Sequence, residues 1–273
     1  MARILAFSSQ VARGHVGLTA AVPALQRLGH DVWAVPTIIL SNHPDHAHVA
    51  GTPIAPDMIE RMTGALEING WMGEVDAVLS GYLPTPEHVH AVGRIVRRMR
   101  HRRSFLFCCD PVLGDDPKGV YLDVHAATAL RGDLLPLADV ATPNRFELGW
   151  LAGQPVRTLS EAVAAARTLP CADVFVTSAL RQGGQLTNLH IGITGVESCH
   201  VSALDIAPHG TGDLFAGLVL GHLLNGISAG EAMARAARGV AVALAASAGQ
   251  DELSIVPMLD EITAAPAVRL DPL

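Results

Sequence analysis

The chain has 273 residues, of which 49% are hydrophobic and 16% charged, a composition typical of a globular α/β protein and not of a disordered one. Its net charge of −7 gives no general attraction to nucleic acid or to an anionic membrane, so neither is expected as a partner. The mean hydropathy is +0.32, yet no apolar run approaches the roughly 20 residues that span a bilayer. Residues 1–7 are typical of a first strand rather than a secretion signal, so we expect a cytoplasmic protein.

Short β-rich runs alternate along the chain with segments of helical period, which predicts a three-layer α/β/α fold around a mainly parallel sheet. The predicted strands are 3–8, 31–39, Ala77–Ser80, 105–110, Val140–Ala141 and 174–178. The predicted helices are 17–28, 56–69, Pro86–Arg100, 146–152, 160–169, Thr211–Leu224 and 229–248. Segments 186–194 and 197–202 are predicted to pair as a hairpin with its turn at Gly195. No linker or repeat interrupts the chain, so we expect one domain over residues 1–273.

Polar residues recur where the predicted strands end. They are found at 8–9, 37–43, 80–82, 110–115, 142–147 and 177–178. Ligands of open α/β sheets lie beyond the carboxyl ends of the strands. The pattern therefore favours an active site at that edge of the sheet.

The most informative segment is 205–217, with the sequence DIAPHGTGDLFAG. Gly210, Thr211 and Gly212 stand at the start of a predicted helix, where free N–H groups and the helix dipole suit an anion such as a phosphate. Asp213 would repel that anion, so we interpret it as a general base for an attacking hydroxyl. The alternative is a glycine-containing turn in which Asp213 only starts a helix.

Two further segments place carboxylates just after predicted strands. Asp110 and Asp115 surround an Asp-Pro turn and could bind Mg²⁺ directly or through water, or be an ordinary turn with a solvated second acid. Glu147 follows Thr142 and Asn144 in the next such segment. It either complements the dipole of its helix or completes the magnesium site, with Thr142 and Asn144 as neutral phosphate contacts.

Several common catalytic patterns are absent from the sequence. A P-loop needs Gly-Lys-Ser/Thr, but the only lysine is Lys118, in Pro-Lys-Gly. There is no HExxH, no GxSxG and no GxGxxG. Phosphoryl transfer is therefore expected only through a metal, a helix N-terminus and an aspartate base. The loop with His43, His46 and His48 is either a metal site or, the reading we favour, a polar surface loop.

Together these segments resemble the ribokinase superfamily and, within it, the pyridoxal kinases. The resemblance extends from residue 4 to about residue 245 and is carried by SQVARGHVG (9–17), LSNH (40–43), SGY (80–82), CDPVLGD (109–115), TPNRFE (142–147) and GTGD (210–213). The first three segments are those that narrow it to the vitamin B6 branch. The resemblance implies a ribokinase-like fold, ATP-dependent phosphorylation of the 5′-hydroxymethyl group of pyridoxal in B6 salvage, Mg²⁺, a monovalent cation such as K⁺, and a homodimer.

The resemblance also implies roles for individual residues. Asp213 would be the base, and Gly210, Thr211 and Gly212 would form the anion hole. Asp110, Asp115 and Glu147 would organise magnesium and the phosphates, Thr142, Asn144, Thr177 and Ser178 would contact ATP, and a lid at 116–123 would bring Tyr121 over it. Ser9, Val16, His43 and Tyr82 would line the pyridoxal pocket.

Three positions depart from the pattern of the pyridoxal kinases. Pro44 stands where many have threonine, Leu18 replaces an asparagine, and Val120 precedes Tyr121 in a lid without cysteine. None touches the phosphoryl-transfer residues, so the departures concern the substrate rather than the reaction. Two alternatives stay open: a kinase for another hydroxymethyl heterocycle such as hydroxymethylpyrimidine, and a B6-binding protein without catalysis.

Overall fold

A central sheet organises the chain. Residues 1–204 and 208–273, which the computed structural model describes, form a sheet of 10 strands in the order β12-β11-β10-β9-β8-β5-β4-β1-β2-β3, plus a separate hairpin of β6 and β7. The strands are β1 (Arg3–Val11), β2 (Asp31–Leu40), β3 (Gly51–Pro53), β4 (Ala77–Ser80), β5 (Leu106–Cys109), β6 (Gly114–Asp115), β7 (Gly119–Val120), β8 (Val140–Ala141), β9 (Asp173–Gln182), β10 (Gln185–Ile191), β11 (Val196–Ser202) and β12 (Leu270–Pro272).

The middle of the sheet is parallel and its margins are antiparallel. Strands β2, β1, β4, β5, β8 and β9 pair in parallel, with Ile4 opposite both Val32 and Ala77. The pairs β9–β10, β10–β11, β11–β12 and β2–β3 are antiparallel. Parallel strands end at the same edge, so the loops after β1, β4, β5 and β8 meet there.

Helices cover both faces of the sheet. They are α1 (Leu18–Arg27), α2 (Pro56–Ile68), α3 (Pro86–Arg100), α4 (Val124–Ala129), α5 (Arg145–Ala152), α6 (Leu159–Ala166), α7 (Thr211–Leu224), α8 (Ala229–Ala246) and α9 (Leu259–Thr263). Successive residues of β1 point to opposite faces: Leu5 and Phe7 join one buried cluster with α2 to α6, whereas Ile4 and Ala6 join another with α1, α7 and α8. The predicted three-layer α/β/α fold is confirmed. No helix of the described residues is long and apolar enough to cross a membrane.

Most predicted elements are found where they were expected. Ala77–Ser80, Pro86–Arg100, Val140–Ala141 and Thr211–Leu224 match the prediction at both ends. The predicted late hairpin is confirmed as β10 and β11. Residues 205–207 of the informative segment lie outside the described residues, whereas its helix start does not.

The predicted ends of three strands were wrong. Strand β1 continues to Val11 through a register shift after Ser8, so Ser9 lies inside the strand, and β2 likewise continues to Leu40. Strand β9 continues to Gln182 past Thr177 and Ser178, because its second half pairs with β10 across another register shift. Ser178 has φ 51, a left-handed conformation that a serine rarely adopts, and this distortion separates the two halves of the strand.

Candidate active site

The N-terminus of α7 packs tightly against the loop that follows β1. Gly210 has φ 95, and a Cβ atom there would lie 1.8 Å from the carbonyl oxygen of His15. Gly17 has φ 57, and a Cβ atom there would lie 2.2 Å from Ser9 Oγ. Only glycine satisfies both the left-handed conformation and the close approach. These two glycines therefore bring Ser9, Val16 and the first turn of α7 together.

Asp213 lies in that first turn. Its carboxylate accepts a hydrogen bond from the backbone N–H of Gly17, and a Cβ atom on Gly81 would lie 3.8 Å from its Oδ1. Burial raises the pKa of Asp213 to about 6, while the N–H groups of Gly17 and of Asp213 itself oppose the shift. At pH 7 the carboxylate is therefore mostly ionised, and its pKa lies only about one unit below that pH.

Asp110 and Glu147 are buried carboxyl groups beside Asp213. Asp110 is 5% exposed and accepts a hydrogen bond of 3.0 Å from Thr142 Oγ1. Burial, followed by the charges of Asp213 and Glu147, raises the pKa of Asp110 well above its usual range. Because Asp213 and Glu147 lie close enough for their charges to raise the pKa of Asp110, the three acids form a site that favours a cation.

Glu147 is fixed by the start of α5. Its Oε2 accepts the N–H of Asn144 and its Oε1 accepts the N–H of Leu113, both at 2.8 Å. Asn144 Oδ1 accepts the N–H of Glu147 in return, which completes a capping box. Burial raises the pKa of Glu147 to about 7 although these backbone N–H groups oppose the shift. Glu147 therefore caps its helix and also lies near the other acids, whereas its role toward magnesium stays a prediction.

The segment after β5 folds over these acids as the hairpin of β6 and β7. Asp115 lies in β6, and its Oδ1 is buried without a hydrogen-bond partner among residues 1–204 and 208–273. Tyr121 follows β7; desolvation, and then the charges of Glu147 and Asp110, raise the pKa of its phenol, although the side chain as a whole is 51% exposed. Val112 has φ 38 in the turn before the hairpin, a strained conformation for a β-branched residue.

The four predicted ATP contacts continue this surface toward β9. Asn144 Nδ2 donates to the carbonyl oxygen of Gly114 at 2.8 Å, and Asn144 forms an isolated parallel bridge with Thr177. The N–H of Ser178 donates to Asn188 Oδ1 at 2.9 Å. The row from Thr142 to Ser178 thus leads away from Asp213 along one edge of the sheet.

Three of the four predicted substrate residues lie at or next to Gly17 and Gly81, the glycines that approach Asp213. Ser9 contacts Gly17, Val16 is buried, and Tyr82 follows Gly81, with its N–H donating to Ser8 Oγ at 3.1 Å. His43 stacks on the ring of His209, with 3.5 Å between centroids and 12° between planes. Burial, and then His209, lower the pKa of His43 to about 4, so this imidazole is neutral at pH 7.

One carboxylate that the sequence analysis missed joins three loops of the site. Asp45 Oδ2 forms an ion pair with Lys118 of the hairpin and lies 2.9 Å from Nε2 of His209, which directly precedes Gly210. The N–H of Asp45 also donates to Nδ1 of His43 at 3.2 Å. We call Asp45, Lys118 and His209 the loop junction. No sequence pattern pointed to it, because its members are 73 and 91 residues apart in the chain.

The three histidines of the 43–48 loop do not converge on one point. His43 groups with Asp45 and His209, whereas His46 groups with Asp251 and Glu252. Arg13 already neutralises the second group, with contacts of 2.8 Å to Glu252 and 2.9 Å to Asp251. Each group nevertheless brings three ligand atoms within 4.8 Å of one another, so both readings of the loop, metal site and polar surface loop, stay predictions.

The sequence model of the phosphomethylpyrimidine kinase family matches residues 13–255. Pyridoxal kinase PdxY of Deinococcus radiodurans is 37% identical over 243 residues, which cover 84% of this chain and 82% of the relative. The pyridoxine/pyridoxal/pyridoxamine kinase of Bordetella avium is 36% identical, covering 99% of this chain and 94% of the relative.

The fold of this chain is also similar to that of a solved pyridoxal kinase structure. The pyridoxal kinase of Leishmania donovani in complex with ADP and pyridoxine superposes with a TM-score of 0.92, at 27% identity and with 99% of both chains covered. Its ribokinase-like fold agrees with the layers and strand order described above. The chain belongs to the phosphomethylpyrimidine kinase family and, within it, to the pyridoxal kinases.

Proposed function

We propose that this chain transfers the γ-phosphate of ATP to the 5′-hydroxymethyl group of pyridoxal, and of pyridoxine or pyridoxamine where these fit, as a step of vitamin B6 salvage. The observation that carries the proposal is Asp213, a carboxylate with a pKa of about 6 in the first turn of α7, beside the acids Asp110 and Glu147. The relatives named pyridoxal kinase support the same reaction. Residues 1–273 act in this proposal as one kinase domain.

Asp213 is proposed as the general base. It accepts the proton of the attacking hydroxyl as the oxygen approaches the phosphorus, and the N–H of Gly17 holds the carboxylate in place. Gly210, Thr211 and Gly212 supply backbone N–H groups at a helix N-terminus for the charge on the transferring phosphoryl group. The segment 116–123, with Tyr121, excludes water so that the alcohol and not water takes the phosphate.

The acids fit a magnesium ion. Asp115 Oδ1 is buried without a hydrogen-bond partner among the described residues, and the raised pKa of Asp110 and of Glu147 indicates uncompensated negative charge. Asp110, Asp115 and Glu147 would hold Mg²⁺, in part through water, because Mg²⁺ prefers a few carboxylates together with substrate phosphates. The ion would neutralise phosphate charge during transfer.

We also propose, from the resemblance, that the activity depends on a monovalent cation such as K⁺. The test is the rate of ADP release when Na⁺ replaces K⁺.

The nucleotide is proposed to lie along Thr142, Asn144, Thr177 and Ser178, and the B6 ring between Ser9, Val16, His43 and Tyr82. Ser9, Val16 and Tyr82 lie at or next to Gly17 and Gly81, which approach Asp213, and His43 stacks on His209 next to Gly210; these contacts support the assignment. A neutral His43 can accept or donate one hydrogen bond to a pyridine substituent without adding charge to the pocket. Pro44 is exposed next to it and offers no hydroxyl.

The test is ADP release in Mg-ATP with pyridoxal, pyridoxine, pyridoxamine and hydroxymethylpyrimidine supplied separately. We expect turnover with pyridoxal, and a loss of turnover in the variant Gly212→Ala without a change in melting temperature. A Cβ atom on Gly212 meets nothing within 4 Å among residues 1–204 and 208–273, so we expect it to obstruct a bound phosphate rather than the fold. Equal turnover by Gly212→Ala and wild type would contradict the proposed anion hole.

Two other functions are separated by the same assay. The family name, phosphomethylpyrimidine kinase, and Pro44 favour testing hydroxymethylpyrimidine, and faster turnover on it than on pyridoxal would assign the chain to that substrate. Failure to release ADP with any alcohol, while pyridoxal still raises the melting temperature, would indicate a B6-binding protein. The intact Asp213 and its pKa near neutrality speak against that outcome.

We further propose a homodimer, on the resemblance to pyridoxal kinases, to be tested by light scattering coupled to size-exclusion chromatography. We also propose a cytoplasmic location, where ATP is supplied and thiols stay reduced. The four cysteines, Cys108, Cys109, Cys171 and Cys199, are all free thiols, which agrees with such a compartment.

A further inference from the structure

A cleft of about 440 Å³ lies beside α5, between the hairpin segment and the loop that leads to α6. Residues that line it include Asp116, Arg145, Phe146, Trp150, Val156 and Arg157. We call it the α5 cleft. Its volume is within the range of sites that bind small molecules, about 300–1,000 Å³.

The α5 cleft is separate from the nucleotide site. Of its lining residues, Asp116 alone belongs to the segment predicted to cover ATP, and none is among the residues predicted to contact ATP, Mg²⁺ or pyridoxal directly. Arg145, Phe146 and Trp150 share one face of α5, whereas Glu147 and Leu148 are buried on another. A ligand in the cleft and a nucleotide would therefore contact different sides of the same helix.

The charge of the cleft favours an anion. Arg145 has one carboxylate partner, Asp116, at 2.7 Å, and that carboxylate is itself 52% exposed. The guanidinium of Arg157 has no acidic partner among residues 1–204 and 208–273; only its backbone N–H is engaged, donating to Glu161 at 2.7 Å. Two arginines thus line a cleft whose lining includes one acidic residue, Asp116, and guanidinium groups are favoured partners of phosphate.

The aromatic lining residues of the cleft favour a ligand with an aromatic ring. Phe146 and Trp150 are 4 residues apart on α5, so their side chains are neighbours, and both are partly exposed in the cleft. The helix ends at Gly153, which has φ 71, and the chain then turns back so closely that a Cβ atom on Gly149 would lie 3.0 Å from the carbonyl oxygen of Gln154. Gln154, Pro155 and Val156 of this return line the cleft together with the two aromatic residues.

We propose that the α5 cleft binds a small aromatic phosphate, with Arg145 and Arg157 on the phosphate and Phe146 and Trp150 against the ring. Such a ligand competes with Asp116 for Arg145. Because Asp116 belongs to the segment that covers the predicted ATP site, occupancy of the cleft weakens one tie between that segment and α5. The inference does not depend on which alcohol the active site phosphorylates.

The probe is phenyl phosphate, and the reporter is Trp150. The chain has 3 tryptophans, so Trp33→Phe and Trp71→Phe together leave Trp150 as the only one. With ADP and Mg²⁺ present to fill the nucleotide site, we expect a saturable fluorescence change. The half-saturating concentration should be at least fivefold lower for phenyl phosphate than for phenol or for inorganic phosphate.

Three variants in this background decide the assignment. Arg157→Gln should raise the half-saturating concentration at least fivefold, whereas Arg167→Gln, an exposed position at the end of α6, should leave it unchanged. Asp116→Asn should lower it, because the competing carboxylate is removed. An absent or unsaturable signal, equal binding of phenol, or an Arg157→Gln variant that binds like its parent would overturn the proposal. A circular dichroism melt of each variant shows that the fold is retained.

Discussion

The variant Asp213→Asn isolates the general base with the smallest possible change of shape. The asparagine amide keeps the size of the carboxylate but cannot accept a proton from the attacking hydroxyl. Loss of a general base usually costs about 10²–10⁴-fold in rate. We therefore expect a folded variant that still binds nucleotide and is nearly inactive.

The pKa of Asp213 adds a second, quantitative expectation. A pKa of about 6 means that roughly nine-tenths of the groups are ionised at pH 7 and roughly one-tenth at pH 5. The base must be ionised to work, so kcat/KM of the wild type should fall about tenfold from pH 7 to pH 5. In Asp213→Asn, the residual rate should not show this decrease.

The assay is ADP release measured by chromatography between pH 5 and 8, with both pyridoxal and pyridoxine. The two substrates differ in their own titrations, so a decrease in rate at low pH that is common to both does not come from the alcohol, and the comparison with Asp213→Asn separates Asp213 from the nucleotide and the other acids. The melting-temperature shift produced by Mg-ADP controls for nucleotide binding in the variant. Near-normal turnover by Asp213→Asn, or an acid limb with the same midpoint in the variant, would refute the assignment of the base.

Three further substitutions test other parts of the site. Asp110→Asn should raise the melting temperature by about 2–4 °C at pH 8 without Mg²⁺. Burial raises the pKa of Asp110 in the folded state, so ionised Asp110 destabilises the fold at every pH above the pKa that it has in the unfolded chain. The increase in melting temperature produced by Asp110→Asn should therefore vanish near pH 4. Melting temperatures measured over a pH series, with and without Mg²⁺, check both statements. Gly210→Ala should lower the melting temperature as well as activity, because its Cβ atom would lie 1.8 Å from the carbonyl oxygen of His15; a melt like that of the wild type would contradict the packing described here. Asp45→Asn should lower kcat/KM for pyridoxal about two- to fivefold in 20 mM NaCl and less in 500 mM NaCl, because exposed ion pairs are weak and screened by salt. Asp57→Asn, which removes an exposed pair with Arg61 on α2, is the matched control, and equal effects of the two would argue against the loop junction.

The elements whose bounds could be predicted are determined by short, local sequence patterns. Strand β4 is four buried residues between polar turns, and α3 begins with Pro86 and ends in a run of arginines, so both could be located to the residue. The capping box of α5 is likewise a local pattern, Asn144 with Glu147. The candidate site followed because polar residues after parallel strands meet at one edge, whatever the details of each loop.

Two kinds of feature could not be predicted: those that depend on contacts between residues distant in the sequence, and elements too short to show a hydrophobic periodicity. Strands β6 and β7 have 2 residues each, and β12 exists only because residues 270–272 pair with β11. The continuation of β9 beyond Ser178 requires β10 beside it. Asp45 gained its importance only when folding placed Lys118 and His209 on the same carboxylate. The roles of the site residues stay predictions until the variants are measured.

The loop junction has a practical consequence. Lys118 is the only lysine of the chain, so apart from the N-terminus its side chain carries the sole primary amine of the protein. The α-amino group, which has the lower pKa, can first be blocked near neutral pH. An amine-reactive fluorophore applied afterwards would place one dye on the segment between β6 and β7. The same reaction slows when Lys118 is paired with Asp45, since a protonated, ion-paired amine is a poor nucleophile. The rate of acylation, measured with and without nucleotide, would therefore report whether Lys118 in that segment is paired with Asp45.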